Sequence, residues 1–257
     1  MKIWPIFKKE MRIYLTTPLA YAILLVFLLV TGFFFWVYFA GFASASMRAA
    51  MNPQFAREAN ITEWVMRPLF TNFISIILFL SLVPMITMRL FAEERRSGTI
   101  ELLLTYPVRD GAVLAAKFLG ALALYGVMLL LTLVYPAIIR YFTPLDWGPV
   151  LTMYTGLVLM GAMFLSIGLF FSSVTENQIV AALATFATLL LLWAIGFPAD
   201  SADGVTRAIL QHVSVVDRFD SFSKGVLDTK DVLYFLNATL LALFLTLRSL
   251  EARRWKG

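Results

Sequence analysis

Six long apolar runs divide this chain of 257 residues, and they restrict its fold more than any other feature. A bilayer core about 30 Å thick is crossed by roughly 20 apolar residues of α-helix. Only 14% of the residues are charged, against roughly 25% in soluble domains. We therefore predict an all-α membrane protein with a single transmembrane domain over residues 1–257. The six predicted transmembrane helices cover approximately residues 19–42, 70–88, 114–139, 150–171, 179–197 and 232–250.

The residue types that are rare or missing narrow the function. The chain has no cysteine, one histidine and no Gly-rich phosphate loop ending in Lys-Ser or Lys-Thr. We therefore assign no catalytic residue, no metal ligand and no ATP site. No charge lies near the middle of a predicted span, where it would cost about 3 kcal/mol or more, which argues against a proton-coupled transporter. Two polar residues within the runs, Asn72 and Asn237, are the candidates for a substrate path.

The positive charges indicate the orientation of the chain. With the N-terminus inside, the cytoplasmic segments would hold 13 Lys and Arg residues and the outer segments would hold 8. Cytoplasmic loops of membrane proteins carry an excess of Lys and Arg. We therefore predict that both termini are cytoplasmic. The same rule explains the net charge of +5, so this charge does not indicate a nucleic-acid partner.

Residues 2–15 have the pattern of an amphipathic helix that precedes the first span. Apolar residues such as Ile3, Phe7 and Tyr14 recur at helical spacing, and Pro18 interrupts the run. Such a helix lies in the plane of the membrane interface. We predict an N-terminal elbow helix here, the alternative being a straight start of the first span.

The most specific stretch covers residues 91–117, between the second and third predicted spans. A dense charge cluster over 93–96 is followed by Ser97 and Gly98, which break a helix. Thr99 is placed to cap a short second helix over 100–105. The apolar side of that helix needs a partner surface or lipid to cover it, and the composition leaves these two alternatives open. This side consists of Ile100, Leu103 and Leu104.

Three stretches resemble the type-2 ABC exporter permeases. The first is ERRSGTIELL over residues 94–103, continued by Pro107 and Lys117. The second is FSSVTENQ over 171–178, and the third lies within 218–235. The order of the predicted spans matches this family over almost the whole chain. Within the family, the chain is similar to the gliding-motility permease subgroup and to the related permease of nitrous-oxide reductase maturation.

The resemblance implies a complex of two permease subunits, identical or homologous, with two separate ATP-binding cassette ATPases. ATP and Mg²⁺ would be bound by the ATPases, so this chain would hold no cofactor and would not be an enzyme. The helix over 100–105 would be the coupling helix that seats on the ATPase. The residues implied at this contact are Glu93, Glu94, Arg95, Arg96, Gly98, Thr99, Ile100, Glu101, Leu103, Leu104, Pro107, Thr175, Glu176 and Asn177.

The family also implies a multi-pass protein of the bacterial inner membrane, with membrane lipid and a periplasmic accessory protein as further partners and no nucleic acid. Residues 199–231 would form short re-entrant helices that act as an outer gate before the last span. The alternative is a plain surface cap.

Three functions stay open from the sequence. The first is an exporter permease driven by a partner ATPase. The second is a subunit that passes force to a periplasmic partner without moving a solute. The third is a membrane-embedded enzyme such as a lipid transferase, for which the sequence offers no convincing cluster of acids, histidine or metal ligands.

Overall fold

The computed structural model describes residues 3–51, 60–99, 109–198 and 203–254, and every element within these ranges is helical. A π-helical turn, Thr62–Met66, leads directly into the third α-helix. The α-helices in chain order are α1 (Ile3–Thr16), α2 (Pro18–Met51), α3 (Arg67–Thr71), α4 (Phe73–Thr87), α5 (Ala92–Arg96), α6 (Asp110–Thr132), α7 (Val134–Phe142), α8 (Trp147–Val174), α9 (Gln178–Ala194), α10 (Gly204–Val213), α11 (Val215–Ser223) and α12 (Thr229–Arg254).

Five helical stretches in the described ranges are long and apolar enough to cross a membrane, and they coincide with five of the six predicted spans. The sixth predicted span, 179–197, corresponds to α9, which has 17 residues and is therefore about 26 Å long. Because α9 is shorter than the other five, the count of six spans stays a prediction. The five stretches are Pro18–Met47, Phe73–Arg96, Asp110–Phe142, Trp147–Val174 and Thr229–Ala252.

Proline residues set two of the helix boundaries. α1 ends at Thr16 and α2 begins at Pro18, because proline is tolerated in a first turn but cannot donate to the preceding turn. The predicted span 114–139 is also divided, since α6 ends at Thr132 and α7 begins at Val134. Pro136 has no N–H to donate to the carbonyl of Thr132, which explains the break. The placement of α1 in the membrane interface stays a prediction.

α8 lies at the centre of the bundle and contacts α4, α6, α9, α11 and α12. Glycines on α8 allow these close approaches, because a Cβ on Gly161 would clash with the ring of Tyr125 and one on Gly168 would clash with Thr87. Tyr125 is buried and donates a hydrogen bond to the Leu157 carbonyl at 3.0 Å. Small residues at such contacts are the usual basis of helix packing within membranes.

The two ends of the bundle differ in what they carry. One end, which we call the junction end, holds α1, α5, the end of α4 and the starts of α6 and α9. At the other, distal end, Trp193 near the end of α9 contacts Phe73 at the start of α4, with ring centroids 5.5 Å apart. The outer faces of α2 and α12 are apolar and exposed along much of their length, as Leu29 and Leu240 illustrate.

The distal end includes the two short helices α10 and α11, which precede α12 as the sequence predicts for residues 199–231. Residues 199–202 of that segment lie outside the described ranges. α11 packs into the bundle, since Val215, Phe219 and Phe222 are buried and Phe222 fits over Gly156 of α8. Whether this segment acts as a gate stays a prediction.

Candidate functional site

The predicted functional residues around α5 are held in place by α8. The N–H groups of Phe91 and Ala92 donate to Ser172 Oγ at 3.0 and 3.1 Å, and Ser172 Oγ donates to the Met88 carbonyl at 3.1 Å. One buried hydroxyl of α8 therefore fixes the turn that leads from α4 into α5. This contact brings residues 93–99 close to the second predicted set, residues 175–177, which directly follow α8.

A buried lysine joins three elements at the junction end. Lys117 Nζ lies 3.0 Å from Glu10 Oε1 of α1 and 3.0 Å from Glu94 Oε1 of α5. It donates hydrogen bonds to Glu10 Oε1 and, at 2.6 Å, to the Leu90 carbonyl, and the contact with Glu94 adds an ion pair. The side chains of Lys117 and Glu10 are only 2% and 5% exposed. We call Glu10, Glu94 and Lys117 the charge junction.

Close packing of α1 on α6 makes the charge junction possible. Gly120 follows Lys117 by three residues and lies on the same face of α6. A Cβ on Gly120 would lie 3.1 Å from Cβ of Glu10, so even alanine would require a shift of a few tenths of an ångström, and a longer side chain would require more. The glycine therefore sets the distance at which the Glu10 carboxylate reaches Lys117.

The charges of the junction are balanced by one further residue. Lys9 of α1 lies 3.1 Å from Glu94 Oε1, with its own side chain 53% exposed. The four residues together carry two positive and two negative charges. Glu94 Oε2 is buried and has no hydrogen-bond partner within the described ranges. Removal of one partner from a buried ion pair typically destabilises a protein by about 3–5 kcal/mol, because it leaves an uncompensated charge.

The end of α5 is shaped by Gly98, which has a φ of 68°. This left-handed conformation is the usual glycine arrangement just beyond a helix C-terminus. Ser97 Oγ donates to the Glu93 carbonyl at 2.9 Å, and Thr99 Oγ1 donates to the Glu94 carbonyl at 3.3 Å. The predicted coupling helix follows immediately but lies outside the described residues, and so it stays a prediction. The residues concerned are Ile100, Glu101, Leu103, Leu104 and Pro107.

The four charged residues of α5 have different surroundings. Glu94 turns inward to the charge junction, while Glu93 accepts from Arg89 Nε at 2.8 Å near the surface. Arg96 is exposed. Arg95 is only 6% exposed, and its guanidinium has no hydrogen-bond partner among the described residues. Because a buried charge without an acceptor is costly, an acceptor from beyond the described residues would stabilise Arg95 in this position.

The loop between α8 and α9 is short and capped. Asn177 Oδ1 accepts from the N–H groups of Ile179 and Val180 at 2.9 and 3.4 Å, which caps the start of α9. Thr175 Oγ1 accepts from the Asn177 N–H at 3.2 Å. Glu176 and Asn177 are exposed, so this loop presents polar groups on the same side of the molecule as α5.

The two candidates for a substrate path lie in different settings. Asn72 caps α4, since its Oδ1 accepts from the Ser75 N–H at 2.9 Å and its Nδ2 donates to the Pro68 carbonyl at 2.8 Å. Its polar groups are therefore used within the turn between α3 and α4. Asn237 lies on the exposed face of α12. No hydrogen bond joins the two residues, and their part in a substrate path stays a prediction.

Ion pairs attach α11 to the rest of the distal end. Arg67 Nη2 lies 2.7 Å from Asp220 Oδ1, and Arg67 Nε donates to Ser223 Oγ at 3.2 Å. Burial acts to raise the pKa of Asp220, but hydrogen bonds from Lys224 and Arg67 outweigh it and hold this pKa below its usual range. α11 is therefore linked electrostatically to α3 as well as packed on α8.

A second ion pair links α10, α11 and α12. Arg218 Nη1 lies 2.9 Å from Asp231 Oδ1, whose side chain is 5% exposed. Arg218 Nη2 lies 2.6 Å from His212 Nδ1, which accepts this bond because a guanidinium only donates. One arginine therefore holds the short helices of the distal end to the start of α12.

The sequence analysis did not assign a role to Glu10, and it included Lys117 only as part of a motif. The sequence contains a pattern from which the pairing of these two residues could have been predicted. Glu10 lies one turn from Phe7 and Tyr14 on the apolar stripe of α1, and Lys117 lies one turn from Gly120 and Ala121 on the buried face of α6. A charge on an otherwise apolar stripe of each of two helices indicates that the two charges pair with each other.

The fold and this site define a multi-pass helical membrane protein with a buried charge junction at the base of the segment that connects α5 to α6. A family model described as ABC-2 family transporter protein matches residues 4–214 of the 257. The chain therefore belongs to the ABC-2 family, whose members are the membrane subunits of ABC transporters and are not themselves catalytic. Members of this family generally form dimers and work with an ATPase subunit. No curated protein matches the chain.

Proposed function

We propose that this chain is the permease subunit of an ABC exporter and converts ATP hydrolysis by a separate ATPase into movement of its helices. The observation that carries the proposal is the contact of Lys117 with Glu10 and Glu94. α5 and α6 flank the predicted coupling helix on either side. Because Lys117 ties both flanks to each other and to α1, a displacement of that helix would move three elements together.

The proposed movement starts at the ATPase. Closure of the ATPase subunits on ATP presses on the coupling helix and shifts α5 and α6. The bond between Lys117 and Glu10 passes the shift to α1, which continues through Thr17 into α2, and Ser172 passes it to α8. Rigid-body shifts of this kind are a common way to couple a local event to a change across a whole molecule.

The proposal includes an orientation and an assembly. The junction end and both termini face the cytoplasm, the chain lies in a bacterial inner membrane, and α9 is the sixth span. A second permease subunit, identical or homologous, completes the substrate pathway. The substrate passes between the two permease subunits along α2, α4 and α9. Support comes from the exposed apolar faces of α2 and α9, which include Leu25, Leu29, Leu183 and Leu191.

The experiment that tests the proposal is purification of the tagged chain from its native cell in mild detergent, followed by mass spectrometry of its partners. We expect a stoichiometric ATP-binding cassette ATPase. The Arg96→Glu variant should lose it, because Arg96 is exposed on α5, whereas Arg248→Glu, which changes an exposed arginine near the end of α12, should retain it. Recovery of the chain without an ATPase, or equal recovery with both variants, would contradict the proposal.

A force-transmitting subunit is distinguished from an exporter by what stimulates the ATPase. An exporter shows faster ATP hydrolysis when its substrate is added to the reconstituted complex. A force-transmitting subunit responds to a periplasmic protein partner and to no solute.

A further inference from the structure

A cavity of about 290 Å³ opens next to the charge junction. Its walls come from α1, the first turns of α2, the end of α4, α5, and Lys117 of α6. This volume lies near the lower end of the range for small-molecule sites, about 300–1,000 Å³. The cavity can therefore hold one segment of a larger molecule that extends beyond it.

One part of the cavity lining, which we call the apolar wall, consists of hydrocarbon side chains. Ile23 of α2, Met85 and Ile86 of α4, and Ile13 of α1 form it. Tyr14 also lines it, and because its hydroxyl already donates to the Ile86 carbonyl at 3.1 Å, the ring presents mainly carbon to the cavity. A hydrocarbon segment fits such a lining better than a polar one.

The rim of the same cavity is charged and keeps unused hydrogen-bonding capacity. Lys9, Arg89 and Glu93 line it, and their side chains are 53%, 32% and 48% exposed. Lys9 gives one bond to Glu94, and Arg89 gives Nε and Nη2 to Glu93, so donors remain on both cations. Each carboxylate oxygen of Glu93 can accept a further bond in addition to that from Arg89.

The charges around the cavity add up to zero. Lys9, Arg89 and Lys117 balance Glu10, Glu93 and Glu94. A lining that contains both signs and is neutral overall is complementary to a head group that is itself zwitterionic, and it offers little net attraction to an anion alone. The charged groups and the apolar wall together match an amphiphile with a phosphate, a primary ammonium and an acyl chain.

We infer that this cavity binds a zwitterionic aminophospholipid of the phosphatidylethanolamine type. Its phosphate lies at Lys9 and Arg89, its ammonium at Glu93, and one acyl chain runs between Ile23 and Met85. The lipid contacts both α1 and α5, and therefore both sides of the charge junction. This binding site goes beyond the proposed transport function and does not depend on it.

Native mass spectrometry of the delipidated chain tests the inference by titration with three probes. These are phosphatidylethanolamine, phosphatidylglycerol and water-soluble glycerophosphoethanolamine. We expect one tightly bound phosphatidylethanolamine per chain, weaker binding of phosphatidylglycerol, which lacks the ammonium, and no competition from the soluble head group. Equal binding of the two lipids, or full competition by the soluble head group, would overturn the inference.

Two pairs of variants locate the site. Arg89→Gln should weaken phosphatidylethanolamine binding at least about tenfold through loss of a charge-assisted contact, whereas Arg248→Gln should not change it. Ala20→Phe, which adds a large side chain to the apolar wall, should also reduce binding, and Leu25→Phe on the exposed side of α2 should not. Because Arg89 is partly exposed, its variant is expected to fold even if Ala20→Phe does not. Unchanged binding in Arg89→Gln would contradict the proposed site.

Discussion

At the scale of single residues, Lys117 dominates the junction end because it is the buried cation between two carboxylates. We predict that Lys117→Met destabilises the folded chain by about 3–5 kcal/mol, since Glu10 and Glu94 lose their common partner. The matched control is Lys9→Met, which removes a largely exposed partner of the same Glu94 and should change stability by no more than about 1 kcal/mol. Thermal unfolding in nanodiscs measures both, and similar losses would contradict the assignment.

Gly120 gives a second prediction at this scale. Gly120→Leu should destabilise the chain by about 1–3 kcal/mol, because the new side chain would meet Glu10 and force α1 away from α6. Gly126 lies on the same helix with nothing within 4 Å of the position of a Cβ, so Gly126→Leu is the control. We expect it to be neutral or slightly stabilising, since leucine favours a helix more than glycine does. Equal unfolding midpoints for the two variants would contradict the close packing of α1 on α6.

At the scale of elements, α11 gives a prediction that depends on pH. The folded-state pKa of Asp220 is lowered by Lys224 and Arg67 against the effect of burial. Its contribution to stability is therefore complete above the unfolded value of about 4 and is lost as the pH falls through the lower folded value. Because the pair is partly exposed, we expect a contribution of only about 0.2–1 kcal/mol.

The measurement is the unfolding midpoint between about pH 5 and pH 3 for the wild type and Asp220→Asn. The wild type should lose stability more steeply over this interval, because only it has this carboxylate to protonate. Asp203→Asn is the control, since Asp203 is exposed at the same end and forms no ion pair with any described residue. Parallel curves for the wild type and Asp220→Asn would show that the ion pair does not attach α11.

The sequence predicts the long helices well and the breaks between them poorly. An apolar run directly indicates a buried or membrane-embedded helix, so five predicted spans coincide with helices of suitable length. The predicted span 114–139 is divided at Leu133 because Pro136 has no N–H to donate to a carbonyl one turn earlier in the chain. The α9 helix is shorter than its predicted run because apolar residues beyond Ala194 continue outside the helix.

The functional site could be predicted only in part, because part of it depends on contacts between residues that are distant in the chain. Residues 93–99 and 175–177 were found through motif resemblance, and the structure brings the two sets close together. The charge junction joins residues 107 positions apart, because Glu10 and Lys117 lie on separate helices. Which faces of α1 and α6 meet depends on tertiary packing at Gly120, which the pattern of a single helix does not specify.

At the scale of the whole molecule, the absence of cysteine from the sequence makes the orientation directly testable. Every introduced cysteine is the only thiol in the chain. We expect Arg96→Cys to react with a membrane-impermeant maleimide only after the cytoplasmic side is opened, and Lys230→Cys to react in intact spheroplasts, since both positions are exposed at opposite ends. The reverse pattern, or labelling of both from one side, would contradict a cytoplasmic junction end.

The central claim is that the charge junction passes movement from the ATPase to the permease. The measurement that tests it most directly is the ATP hydrolysis rate of the purified permease–ATPase complex in nanodiscs, for the wild type, Lys117→Met and Lys9→Met. We predict that Lys117→Met still assembles with the ATPase but lowers the stimulated rate by about fivefold or more, as expected for a coupling free energy of about 1–3 kcal/mol. Lys9→Met should stay close to the wild type. An assembled Lys117→Met complex with the full wild-type rate would contradict the claim.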